Sequence, residues 1–425
     1  LLSPIIRIKQ GQLKIHYTEF QLIALYLSAI SLIDFNPFLR SHYEWTGTFD
    51  RKQITIILKQ VTMKKNLFIL IIAIMASTCT MFVVSANEPT KISWTGGNGD
   101  WNDITNWDES RLPTDKDHVI IPQGYVHIGA STTIRTLSIN LLGDAHLFVG
   151  EGARIELVGN NSLYSSLNLI ENTLVENFGQ IHILQSISTG MTIMGGRFEN
   201  YGHLAIWNSP IDGIMTRAGG AFVNHVKGQV EIGGLSTVAI HLRQNGNWNN
   251  EGSVQISEGI LMDGILIRDE AQFRNTGKIN FTASIGDNAI DNRSAFENCG
   301  EIIILSTCRD AIRNSKTLRN TGVIKIALAG GNAISGLTQE SLFVNGGKVQ
   351  VKQARFNGIH LIDGSLFRHE PEAELVLDNC KIKGVEHKQG KFINHSSYSI
   401  SKKPLLPNEK SQMPVVTKPL LKTSL

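Results

Sequence analysis

The sequence predicts an all-β protein, a single-stranded parallel β-helix with coils of about 24 residues, and two recurrences predict it. One is a phrase: an aromatic or leucine, any residue, asparagine, any residue, glycine, then apolar residues alternating with polar ones. It returns at intervals of 22 to 26 residues, apart from one gap at "FRHEPEAELVL", where His369 takes the asparagine's place. The other is a second column between the phrases, "DGI", "NAI", "DAI" or "NGI". A unit this short cannot bury its own apolar face, so it stacks on its neighbours. The alternation after the glycine has the period of a strand, and no 3.6-residue period runs through the repeats. Two recurring columns imply a coil that reads strand, turn, strand, turn.

Along the 425 residues, aromatics are 7% and charged residues 18%, whereas glycines number 39. That mixture suits a β-rich extracellular protein more than a helical enzyme. Residues 1–62 contain no methionine and read as an upstream segment outside the functional protein. Residues 63–86, "MKKNLFILIIAIMASTCTMFVVSA", have a basic start, an apolar run and a small-residue end, the three regions of a signal peptide cleaved after Ala86. An extracellular or cell-surface location follows, with no membrane span in the mature chain. Residues 1–86 carry 9 of the 40 basic and 4 of the 37 acidic residues, leaving 31 and 33 and a net charge of −2. Such a balance offers no basic footprint for nucleic acid. Cys299, Cys308 and Cys380 remain, an odd number that allows at most one bridge.

Residues 87–160 read as an N-terminal cap with the first short coils. The tryptophans of "SWTGGNGDWNDITNWDESRLPTDKDHVIIPQG" cover the first apolar layer. Residues 161–400 carry the repeats. Their asparagines are Asn177, Asn200, Asn224, Asn250, Asn275, Asn298, Asn320, Asn345 and Asn394. Stacked about 4.8 Å apart, they are expected to form a ladder of side-chain amides. The aromatic two positions earlier is expected to point inward and stack on its counterparts. The glycine two positions later is expected to supply a positive φ at the turn. Asp or Asn of the second column reads as a turn residue bonding its own backbone. Residues 401–425 form a Pro/Lys/Ser tail.

The pattern of residues 93–120, with "WTGG", "GDW", "NW", "P" and "DHVI", resembles the module that opens many exported bacterial β-helical proteins. The F/L-x-N-x-G-x-I coils are similar to the passenger regions of filamentous-haemagglutinin and autotransporter adhesins. The resemblance spans about residues 93–400 and implies a right-handed helix of pectin-lyase-like fold. It also implies attachment to a glycan or a cell surface. Polysaccharide lyases and glycoside hydrolases use similar helices, so a carbohydrate-active enzyme is the alternative.

No catalytic residue, cofactor or metal site is assigned. Asp212, Asp263 and Asp310 share the second column with Asn288, Asn332 and Asn357, and read as turn caps before calcium ligands. His203, His225, His241, His360 and His395 lack ligand spacing and read as exposed or turn residues. Arg268, Arg293 and Arg313 read as a solvated edge, with a face for acidic sugars as the sharper alternative. Trp94, Trp101 and Trp107 read as cap packing, with stacking on sugar rings as theirs.

Overall fold

A computed structural model describes residues 90–159 and 165–401. The upstream segment, the signal peptide and the tail after residue 401 lie outside the described residues. Three parallel sheets run the length of the stack. The first has 13 strands, from Thr90–Ser93 to Val385–His387; the second has 13, from Gly99–Asp100 to Lys391–Asn394. The third has 12, from Thr133–Thr136 to Tyr398–Ser401. Among the described residues one 3-10 turn, Ile104–Asn106, interrupts this all-β order. Among the described residues no helix is long and apolar enough to cross a membrane.

Each coil therefore has three strands where two were expected. The aromatic–x–Asn phrase is itself a strand, as in Ala295–Asn298, and the asparagine ends it. After the corner at Gly300 the chain enters the third sheet through Glu301–Thr307, then the first through Ile312–Asn314. The stack is also longer than the nine asparagines and His369 mark out. In the second sheet Asn177 pairs with Val149, and Val149 with Ile128, so apolar residues hold the ladder position in the early coils. Thirteen layers about 4.8 Å apart make a stack of about 60 Å.

The ladder is as expected from Asn177 to Asn345. Seven successive amides each donate to the next side-chain oxygen at 2.7–2.8 Å. All eight asparagines are fully buried, and most also donate to carbonyls at the corner. The chain of donors ends on His369, whose Nδ1 lies 3.1 Å from the Asn345 amide. Asn394 is in register above His369 but exposed, and its Oδ1 accepts from the Ser396 N–H. It is not a rung: the imidazole presents no second amide for it to join. A second, shorter ladder in the first sheet was not anticipated. Asn292 donates to Asn314 at 2.7 Å, and Asn314 to the Ser341 hydroxyl at 3.1 Å.

Beside the main ladder the aromatics stack inward. Phe198, Phe222, Trp248, Phe273 and Phe296 follow one another with centroids 3.9–5.7 Å apart and planes within 10°. Burying each contributes roughly 2–3 kcal/mol. The repeat glycine has a different reason from the one expected. Gly277, Gly300 and Gly322 are not in the positive-φ region. A Cβ on Gly300 would instead fall inside the van der Waals radius of the Gly277 carbonyl oxygen in the coil below, and Gly322 stands likewise over Gly300. The corner is tight enough that only hydrogen fits.

At the N-terminal end Trp94, Trp101 and Trp107 are 1–2% exposed, packed edge to face with centroids 4.8–5.1 Å apart. The Trp107 indole N–H donates to the Trp101 carbonyl at 2.9 Å. Asp117 ties this end together, receiving both Arg111 guanidinium nitrogens at 2.7 and 2.8 Å and the Thr114 N–H at 2.7 Å. Burial opposes its charge, but the hydrogen bonds from Arg111, Thr90 and Thr114 outweigh it and hold the carboxyl well below the usual range.

Candidate ligand-binding face

The outer surface of the first sheet carries a column of polar residues that runs from coil to coil. Side chains two apart on a strand share a face, so each coil presents a column residue and a rim residue there. Parallel register aligns the column residues Met215, His241, Leu266, Asp291, Arg313, Ser335, His360 and Glu386 in that order. Three residues earlier, in six of these eight coils, lies the Asx column; Val238 and Lys383 take the position in the other two. Its side chains reach to the next coil, not to their own backbone as the sequence suggested. Asp263 Oδ1 accepts from the Asn288 N–H and its amide, Asp310 Oδ1 from those of Asn332, and Asn332 Oδ1 from those of Asn357. Capping the neighbouring coil is a stacking role, and it occupies oxygens that a metal would need. Among the described residues no group of three or more potential ligands converges on one point.

The two columns meet in side-chain pairs. Ser335 donates to Asp310 at 2.6 Å, and Arg293 to Asp291 at 2.6 Å. His241 Nδ1 lies 3.2 Å from Asp212, with both residues buried, so His241 is neither exposed nor a turn residue. His360 faces Glu386 at 3.5 Å, and Glu386 accepts from Asn357 at 3.1 Å. Among the buried polar atoms here without a hydrogen-bond partner are Asp291 Oδ1, His241 Nε2, Asn357 Oδ1 and Arg313 Nε.

Burial pushes the Asp263 carboxyl up to about 6; the Asn288 hydrogen bond opposes the shift, and the charges of Asp291 and Asp287 add to it. The folded state therefore holds this proton more tightly than the unfolded chain, whose ordinary value is 3.8. That contribution is fully present below about pH 4 and lost as pH rises through about 6, and it amounts to about 3 kcal/mol. Asp263→Asn is expected to leave stability near pH 4 unchanged and to raise it by up to that amount near pH 8. Urea midpoints at the two pH values check this; a variant with the parent's pH dependence would contradict it.

Of the residues singled out in the sequence, the three tryptophans belong to the core and present no ring face to a ligand. Arg268 and Arg293 are rim residues in adjacent coils, while Arg313 belongs to the column beside Asp291. Comparison with family models, with curated proteins and with solved structures finds no match to this chain.

Two features escaped sequence reading. Arg217 and Arg243 precede Arg268 in the same rim position, a spacing of 26 and then 25 residues that would have revealed them. A stripe of aromatic rings also runs over the corner between the second and third sheets. Phe148, Phe178, Tyr201 and His225 stack with centroids 3.9–5.3 Å apart. A hollow of about 430 Å³ adjoins it, lined in part by Lys227 and Glu251. Its rings face one another and offer a ligand mainly their edges.

Proposed function

We propose that the chain is an exported attachment module that holds an extended glycan, or a glycan-coated surface, along the first-sheet face. One observation carries this reading. From Met215 to Glu386 the face aligns one column residue per coil over eight coils in unbroken parallel register, a repeating surface suited to a repeating ligand. Of the six that can hydrogen-bond, Arg313, His360 and Glu386 are partly open to solvent, whereas His241, Asp291 and Ser335 are buried. Export rests on the signal-peptide pattern of residues 63–86, and N-terminal sequencing of the secreted protein should begin at Asn87.

The test uses purified 87–425 and a panel of neutral and acidic polysaccharides, scoring retention and chain shortening together. Retention without product is the expected result. Retention of none of them would overturn the proposal.

A second reading, a carbohydrate-active enzyme, is favoured by one specific pair. Asp263, with its carboxyl raised to about 6, can carry a proton near neutrality, and Asp291 beside Arg293 is a second carboxyl within its electrostatic reach. Carboxyls in unlike environments are how glycosidases divide acid and base roles. Shortened chains or new unsaturated ends, abolished by Asp263→Asn, would establish this reading over the first.

A further inference from the structure

Deepening the attachment reading, on which it rests, we propose that Arg217, Arg243, Arg268 and Arg293 form a track for a linear acidic polysaccharide bearing one carboxylate per sugar. The four occupy one position in four successive coils. The Arg243 N–H donates to the Thr216 carbonyl at 3.0 Å, that of Arg268 to Leu242 at 3.0 Å, and that of Arg293 to Ile267 at 2.7 Å. The residues just before them pair in the same register: Thr216 with Leu242, Leu242 with Ile267, and Ile267 with Asn292. Their backbones therefore rise about 4.8 Å from one arginine to the next.

Like charges stacked this way are destabilising unless something neutralises them. The protein does so only in part. Asp269, half exposed, lies 4.0 Å from Arg243 Nε and 3.7 Å from Arg268 Nε, beyond hydrogen-bond distance. Asp291 holds Arg293 at 2.6 Å. Arg217 pairs with no carboxylate among the described residues, and the Nε atoms of Arg217, Arg243 and Arg268 are enclosed without an acceptor. The side chains of Arg243, Arg268 and Arg293 are 29%, 35% and 47% exposed, so an anion arriving from solvent reaches them. A guanidinium fork matches a carboxylate in shape as well as charge.

The neighbouring column suits a sugar ring. Met215 and Arg217 are two apart on one strand and share its outer face, so the half-buried Met215 lies beside the arginines, with the buried His241 and Leu266 below the next two. A ring resting its apolar face on Met215 would turn its carboxylate to the rim. Asp291 follows Leu266 in the column with a negative charge, which places the end of the track at Arg293. The spacing also decides against a nucleic-acid duplex. A duplex strand carries a phosphate about every 3.4 Å of rise, out of step with coils about 4.8 Å apart.

The experiment measures binding of the 87–425 chain to alginate, to an esterified alginate lacking most of its charge, to a neutral glucan and to single-stranded DNA, over a salt series. The double variant Arg217→Gln/Arg243→Gln is compared with Arg319→Gln, on the outer face of the second sheet. Alginate should bind best. The double variant should lose about tenfold or more in affinity and reduce the salt slope by about two, one per lost contact. Arg319→Gln should change neither. Thermal melting confirms that each variant is folded, and Arg268→Gln replaces the double variant if that one is not. Unchanged binding by the arginine variants, or equal binding of the esterified polymer, would overturn the track. So would tighter binding of DNA. Binding of the glucan and esterified alginate as tightly as alginate would sink the track and leave attachment standing; no binding of any glycan would sink both.

Discussion

Replacing Gly300 by alanine is expected to destabilise the stack by about 3 kcal/mol or more, the upper end of the usual cost of overpacking. The new methyl would meet the Gly277 carbonyl oxygen, which is backbone, and behind it the Thr276 carbonyl. Neither is the end of a flexible side chain that could swing away. The same peptide is hydrogen-bonded into the corner, the Gly300 N–H donating to the Asn275 carbonyl at 3.0 Å. Thermal denaturation should show a fall of many degrees, or a split transition as coils on either side unfold separately. Gly346→Ala, where an added Cβ meets nothing closer than 3.8 Å, is the matched control and should be mild. Equal effects at the two sites would contradict the account of the corner.

Asn275→Ala should cost about 4 kcal/mol for a different reason. The Asn275 amide donates to Asn298 Oδ1 at 2.7 Å, and its own oxygen accepts from Asn250 at 2.7 Å. Truncation leaves the buried Asn298 oxygen without its donor and takes the closest acceptor from the Asn250 amide. Each such loss costs about 1–3 kcal/mol, and the void adds to it. Asn394→Ala, at the exposed position beyond His369, should cost less than about 0.5 kcal/mol. Chemical denaturation of both variants checks the contrast. A small effect at Asn275 would mean that the ladder is an ornament of the register and not a support for it.

These two sites show what was legible. From Asn177 to Asn345 the ladder asparagine and the corner glycine recur visibly because the amide chain needs both a donor and an acceptor in every coil and the corner leaves no room for a Cβ. Hence the ladder and the coil length could be read directly. The third strand was hidden because a four-residue strand such as Ala295–Asn298 offers only two inward positions, one aromatic and one amide, too few to show a period. The early coils were hidden because Ile128 and Val149 fill the ladder position with ordinary apolar residues. The glycine was found for the wrong reason, since sequence reports that a Cβ is forbidden and not which atom forbids it.

The candidate face was less legible than the fold. Arg268 and Arg293 stood out, whereas Arg217 and Arg243, at the same coil spacing before them, were legible only by extending that spacing backwards, and the register places all four together. Asp291 and Asp263 belong to different coils and approach through stacking alone. Nothing local in the sequence marks either as unusual, whereas burial makes one a carboxyl that titrates near 6. Chemistry assembled across coils leaves no linear motif, and a repetitive scaffold conceals it further.

The central claim is that the first-sheet face binds by repetition. It is tested most directly by the affinity of the 87–425 chain for size-fractionated alginate oligomers, from dimer to dodecamer. The account predicts that affinity climbs with each added sugar until the ligand spans the four arginine coils, and that every oligomer is recovered intact. A plateau at the dimer or trimer, or recovery of shortened products, would contradict it and point to a localised site on the same helix.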